Sequence, residues 1–117
     1  MSLYNWYVGA FACPSCGRTI ERAQTKFGHR QFREYRDGEV VDWLRGKAMQ
    51  NGGRPGGGNM LGAGWSACEA CDLTLFLLIR VCADVVSGVQ EGSVRVARTS
   101  DYGARFVGFE GLSPRSS

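Results

Sequence analysis

The sequence predicts a mostly β protein, an antiparallel sheet that carries a Gly-rich loop, and three observations lead to this prediction. Short runs rich in aromatic and β-branched residues recur along the chain, which is typical of strands. Glycine occupies 17 of the 117 positions, which favours turns and loops over long helices. Two Cys-x-x-Cys pairs, at 13–16 and 68–71, have the spacing of metal-binding knuckles.

The predicted strands follow one another along the whole chain. The run 73–81 is the most apolar and predicts a central strand, although periodicity alone does not separate it from a buried helix. The segment 18–27 also admits a helix, and a strand is favoured because Thr and Ile are interspersed in it. Asp37-Gly38 predicts a hairpin turn. The predicted strands are 4–12, 18–27, 31–36, 40–44, 73–81, 84–89 and 93–97.

The two cysteine pairs predict one metal site, set between strands in the manner of a zinc ribbon. Four thiolates from Cys13, Cys16, Cys68 and Cys71 form the tetrahedral shell that structural Zn²⁺ prefers. Gly17 suits the first knuckle, whereas Asp72 at the matching position of the second suits it less well. Two disulfides, reduced thiols that only pack, or an iron site with the same ligands are the alternatives.

Length and composition predict one domain, 1–97, followed by a partly disordered C-terminal extension, 98–117. The N-terminus has neither the basic nor the apolar part of a secretory signal, and the run 73–81 is too short to cross a bilayer. We therefore expect a cytoplasmic protein without a membrane segment. A reducing compartment favours metal ligation over disulfides, and Cys82 is expected to act as a small buried hydrophobe.

The sequence does not predict an enzyme. His29 is the one histidine, it lies in a polar turn, and no nucleophile signature lies beside it. A centre with four cysteine ligands leaves no position for an activated water, so its metal is expected to be structural. A centre with fewer cysteines, with His29 as a ligand and one open position, is the alternative that would support catalysis.

A basic and aromatic stretch at 18–36 is a candidate nucleic-acid site, because basic groups hold phosphates and aromatic rings stack on unpaired bases. The chain's net charge of +3 is mild, and nearby acidic residues interrupt the stretch, so an ordinary solvated face is the alternative. The candidate residues are Arg18, Arg22, Lys26, Arg30, Phe32, Arg33 and Arg36.

A protein-binding surface is the other candidate. Trp43 and Trp65 would be natural interface anchors if they are exposed, and core residues if they are not. A locally acidic strip offers charges for a partner, and consists of Glu34, Asp37, Glu39 and Asp42.

The chain also resembles a group of small bacterial zinc-ribbon proteins. The resemblance covers residues 6–90 and consists of Cys-Pro-Ser-Cys-Gly at 13–17, Gln24-x-Lys26-Phe27-Gly28, a Tyr35-x-x-Gly38 turn, Trp43 and the second Cys-x-x-Cys. It implies a metal-stapled β fold without catalytic residues, and some members of the group resemble immunity proteins encoded beside polymorphic toxins. The combined prediction is a non-catalytic binding module with structural zinc. A protein partner such as a toxin is the first choice, and nucleic acid is the alternative.

Overall fold

The computed structural model describes residues 3–98, and the prediction of a mostly β protein is confirmed. Two single-turn 3₁₀ helices, Met49–Asn51 and Gly56–Gly58, lie between the third and fourth strands. No helix within the described range has the length and apolarity to span a bilayer. The predicted extension lies outside this range except for Arg98. The strands are β1 Asn5–Ala12, β2 Thr19–Thr25, β3 Glu34–Arg36, β4 Met60–Cys68, β5 Leu73–Cys82, β6 Val85–Val89 and β7 Arg95–Val96.

All seven strands belong to one sheet of order β3-β1-β2-β4-β5-β6, and β7 pairs with β5. Every pair is antiparallel except β1 with β3, which run parallel. The segment after β3 returns to β6: the Gly38 amide donates to Val86 O at 2.7 Å, and the Val86 amide donates to Glu39 O at 2.9 Å. These bonds nearly close the sheet on itself.

The predicted hairpin of 31–36 with 40–44 is wrong. Gly38, at φ 91°, does form a turn, in which the Glu39 amide donates to Arg36 O at 3.1 Å. Beyond the turn the chain pairs with β6 instead of β3, and the Val41 amide donates to Asp84 O at 2.8 Å. Turn residues fix where a chain reverses but not which edge it joins. Here the β6 edge also buries Val41 in the core.

The core lies inside the curved sheet, and β5 contributes most to it. Leu75, Leu77, Ile79 and Val81 alternate along β5 and are almost completely buried. The apolar run led us to expect burial on both faces of this strand, but most residues of its other face are partly or fully exposed. Gly62 on β4 allows the fully buried Phe27 to lie against that strand, because a Cβ at Gly62 would lie 2.6 Å from the ring.

A buried amide organises the irregular segment between β2 and β3. Asn5 is completely buried, and its Nδ2 donates to Phe27 O and to His29 O, both at 3.0 Å. Its Oδ1 accepts from the amides of Gln31 at 3.0 Å and Arg33 at 3.2 Å. One side chain thus satisfies four backbone groups that no strand pairs.

A single carboxylate holds the Gly-rich loop against the β5–β6 turn. Asp84 accepts from the Trp43 indole at 2.9 Å and from two nitrogens of the Arg54 guanidinium, at 2.6 and 3.1 Å. The backbone amide of Asp84 donates to Gly58 O at 3.0 Å. The hydrogen bonds from Arg54 and Trp43 hold the pKa of Asp84 below its usual range. The segment 51–59 is therefore a packed part of the domain, with Gly52, Gly53 and Gly58 buried.

Asn5→Asp is expected to destabilise the domain by about 3 kcal/mol or more. The substitution keeps the shape but points carboxylate oxygens at buried carbonyl groups that lose their donors. Denaturant unfolding measures the loss. The control is Asn59→Asp, since Asn59 uses only its oxygen, accepting from the Ala83 amide, and a change below about 1 kcal/mol is expected there. Equal effects at both sites would contradict the role given to Asn5.

Asp84→Asn is expected to loosen the Gly-rich loop without disturbing the core. Asn tolerates the positive φ of Asp84, 71°, but cannot provide the charged pair of acceptors that Arg54 uses. Hydrogen exchange should become several-fold faster at the Leu44 amide, whose acceptor is Gly52 O in the loop, and at the Gly53 amide of the loop itself, and stay unchanged at Leu77 in β5. Unchanged exchange in the loop would show that Asp84 does not hold it.

Candidate metal centre

Four cysteine sulfurs converge at one end of the sheet. The Sγ atoms of Cys13, Cys16, Cys68 and Cys71 all lie within 4.8 Å of one another, and those of Cys16 and Cys68 are 3.6 Å apart. A tetrahedral centre with metal–sulfur bonds of about 2.3 Å has sulfur–sulfur edges of about 3.8 Å. The arrangement therefore fits one tetrahedral metal ion, and the predicted convergence of the four cysteines is confirmed.

The centre bridges two corners of the sheet that are distant in sequence. Cys13 directly follows β1 and Cys16 precedes β2, whereas Cys68 ends β4 and Cys71 precedes β5. β2 and β4 are paired only at 24–65 and 25–64, and toward the centre a cavity of about 140 Å³ lies between them. The metal would thus join the two strands where their hydrogen bonding has stopped.

The residue after the second cysteine is left-handed in both knuckles, although the two sequences differ. Gly17 has φ 78° and its amide donates to Cys13 O at 2.8 Å. Asp72, at the matching position of the second knuckle, has φ 56°. Asp is one of the few residues that visit this left-handed region, so it replaces Gly at a modest cost. Asp72 was expected to suit this position less well than Gly, and it adopts the same left-handed conformation as Gly17.

Backbone amides are arranged to receive a thiolate at Cys13. The amides of Cys16 and Ser15 donate to its sulfur and lower the pKa of Cys13 to about 7. The pKa of Cys71 is raised to about 12, first by its hydrogen bond with Cys16 and then by burial. The Cys13 thiol therefore loses its proton more readily than the Cys71 thiol. A cation placed among the four sulfurs would favour the thiolate form of all of them.

No disulfide links the described residues, and all five cysteines are free. A disulfide needs sulfurs about 2.05 Å apart, far below the 3.6 Å between Cys16 and Cys68. Within residues 3–98 the four-cysteine group is the one cluster with the makings of a metal site, and His29 is not part of it. His29 Nδ1 lies 3.7 Å from Asp42 instead. Cys82 is only partly buried and lies 3.8 Å from an Arg80 nitrogen.

The basic stretch is tied into the domain rather than forming one open patch. Arg22 and Arg36 both contact Glu34, at 3.0 and 3.6 Å. Arg30 Nε donates to Lys26 O at 2.8 Å, which adds a further internal contact. The remaining members are spread out: Arg33 lies over the Tyr35 ring, Phe32 is exposed beside Tyr4, and Arg18 lies exposed near the metal centre.

The proposed protein-binding residues are also engaged internally. Asp37 accepts from the Tyr7 hydroxyl at 2.9 Å, and Glu39 accepts from the Arg36 amide at 2.7 Å. Burial and Asp37 together raise the pKa of Tyr7. Asp42 accepts from Gln31 at 3.1 Å. Glu34 contacts two arginines, and Trp43 donates to Asp84, as described above. Of the proposed protein-binding residues, Trp65 is the one that lines an open groove.

That groove contains residues that the sequence analysis did not single out. Trp6, Gln24 and Thr74 line it together with Trp65. The alternation of β1 could have placed Trp6 outside the core, because Asn5 and Tyr7 point inward. The pairing of β2 with β4, which sets Gln24 opposite Trp65, has no local signal in the sequence.

Gly17→Ala is expected to destabilise the metal-loaded domain by about 1–2 kcal/mol. Nothing lies within 4 Å of the added Cβ, so the cost comes from the left-handed backbone alone. Asp72→Gly should change the stability by less than about 1 kcal/mol, because Asp already adopts this conformation. Unfolding at a fixed free metal concentration measures both. A Gly17→Ala variant as stable as the parent would contradict the account of the knuckle.

Comparison of the chain with protein-family models, with curated proteins and with solved structures found no match. The likeness to small zinc-ribbon proteins therefore stays a hypothesis based on the residues quoted for it.

Proposed function

We propose that this protein is a non-catalytic binding module whose fold is held by one structural zinc ion. The observation that carries the proposal is the convergence of four cysteine sulfurs at the spacing of a complete tetrahedral shell. Cys13, Cys16, Cys68 and Cys71 would hold the ion, and no coordination position remains for substrate or water. Zinc supplies charge and a fixed geometry to such a centre, and no redox chemistry.

Zinc is favoured over iron by the setting that the sequence predicts. In a reducing cytoplasm cysteines remain thiols, and a four-thiolate site suits both metals. Zinc does not change its oxidation state, so it can hold a fold without reacting. A domain of this size also needs such support, since structural zinc contributes roughly 10 kcal/mol of apparent binding free energy in small folds.

A protein partner is the first of two candidate partner classes. The resemblance to immunity proteins motivates it, and a toxin would be the partner. Exposed apolar side chains at Leu3, Phe32, Val40 and Val96 provide contact area for such a partner. The acidic strip has less to contribute to such a contact, because its carboxylates already accept hydrogen bonds or form ion pairs within the domain.

Nucleic acid is the second class, and the arrangement of the side chains supports it better. Arg22 lies over the Trp6 ring at 4.1 Å and Arg95 over the Phe76 ring at 4.5 Å. Arginine held over a ring can stack on a base or pair with a phosphate. In the basic stretch, Arg33 also lies over a ring, that of Tyr35, but Tyr35 is fully buried, so the supported surface overlaps the predicted one only in part.

Substitution of the metal by Co²⁺ tests the closed centre. We expect one ion per chain, with the absorption spectrum of tetrahedral thiolate coordination. Azide should leave that spectrum unchanged, because no ligand position is open. Cys16→Ser or Cys71→Ser should lose the spectrum or weaken metal binding strongly, whereas Cys82→Ser, the matched control outside the centre, should behave as the parent. A spectrum that azide perturbs would show an open position and revive a catalytic role.

A further inference from the structure

We propose that a groove on the outer face of the sheet, between Trp6 and Trp65, binds the bases of single-stranded nucleic acid. The proposal rests on the second partner class given above and identifies its site. The site shares Arg22, Gln24 and Phe32 with the basic stretch 18–36, and its other residues lie outside that stretch, on or next to β1, β4, β5 and β7.

One row of paired residues crosses these five strands. Trp6 pairs with Gln24, Gln24 with Trp65, Trp65 with Phe76, and Phe76 with Arg95. Directly paired residues point to the same face of a sheet. Tyr7, Ala23 and Leu77 next to them are buried in the core, so the row lies on the outer face.

The groove in the middle of this row has the size and shape for a planar ring. It encloses about 450 Å³, and Trp6, Gln24, Trp65 and Thr74 line it. Trp6 and Trp65 stand two strands apart, about 10 Å at the backbone, with Gln24 between them on the same face, so a flat ring lying above Gln24 would be flanked by both indoles. The Trp65 Nε1 is buried and has no acceptor among residues 3–98, so it is a donor that a ligand could satisfy on a small movement of the indole.

Aromatic rings continue on both sides of the groove. Trp65 packs edge-on against Phe76 at 6.0 Å, and Trp6 packs against Tyr4 at 5.2 Å. Tyr4 in turn packs against Phe32, which is 47% exposed. Phe76 is 3% exposed beneath Arg95, so it supports Trp65 and does not contact a ligand itself. Trp6, Trp65 and Phe32 are the rings on which unpaired bases would stack, and base-paired strands cannot reach them in the same way.

The charges of the groove are mixed. Arg22 is fixed over Trp6 by its bond to Glu34 at 3.0 Å, and Arg95 lies over Phe76. Arg22 lies two residues from Gln24 toward the metal centre, where Glu69, in the second knuckle, also lines the groove and opposes phosphate. We therefore expect the phosphates to follow Arg95 and Arg22 and to keep away from Glu69.

Binding of a fluorescein-labelled thymidine oligonucleotide of about 15 nucleotides tests the proposal, with the metal-loaded protein at low salt. The single strand should bind more tightly than a duplex of the same length, with an affinity that falls as salt is raised. Trp65→Leu should weaken binding at least about fivefold, the lower range for loss of one stacked base. Gln24 is exposed on the groove floor, so Gln24→Glu should weaken binding and Gln24→Lys should tighten it without affecting folding.

Gln90→Glu makes the same charge change outside the groove and should bind nearly as the parent does. Metal content shows that each variant is folded. Absence of oligonucleotide binding by the parent would overturn the proposal and leave the structural zinc centre standing. Binding that the Trp65 and Gln24 variants leave unchanged would overturn the groove as the site and retain nucleic acid as the partner. A complex with the product of the adjacent gene that Trp65→Leu abolishes would assign the groove to a protein and also overturn the proposal.

Discussion

Four sulfurs join two corners of a sheet that the backbone hydrogen bonds leave apart. The N-terminal and C-terminal halves of the sheet meet at the segment 38–41 with β6 and, at the end that carries the cysteines, at β2 with β4, which share only two paired positions. Toward the cysteines they separate around a cavity, and the Ser66 hydroxyl reaches across to Arg22 O at 2.6 Å. A metal ion at the open end would fix the angle between the halves, and with it the distance between Trp6 and Trp65 in the outer groove.

Polar side chains fix the positions of loops and strands in this small domain. Asn5 satisfies four backbone groups, Thr25 donates to Ala63 O at 3.0 Å between β2 and β4, and Asp84 holds the Gly-rich loop. Burial of such groups is favourable only when their bonding is complete, which makes each a specific determinant of the fold. The glycine-rich composition needs these determinants, since glycine adds flexibility and no side-chain contact.

The sequence predicted what local chemistry determines and missed what long-range pairing determines. The runs around β1 and β5 and the two knuckles were read correctly, because strand periodicity and cysteine spacing are local signals. The hairpin after Asp37-Gly38 failed because the edge that a returning strand joins depends on distant residues, here β6. The outer row of Trp6, Gln24, Trp65 and Phe76 could not be predicted for the same reason, because it exists only once four strands are in register. Asn5 and Asp84 could not be distinguished from ordinary polar residues, because their hydrogen-bond partners lie more than 20 residues away in sequence.

The dependence of the unfolding free energy on free Zn²⁺ concentration tests the central claim most directly. An ion that binds only the folded chain should raise the unfolding free energy by about 1.4 kcal/mol for each tenfold rise in free Zn²⁺ above the dissociation constant, at constant pH. The account predicts this slope for the parent and its loss in Cys68→Ser, with chelation unfolding the domain. An unfolding free energy that does not change with Zn²⁺, in a chain that stays folded in chelator, would contradict the claim that metal coordination joins the two halves.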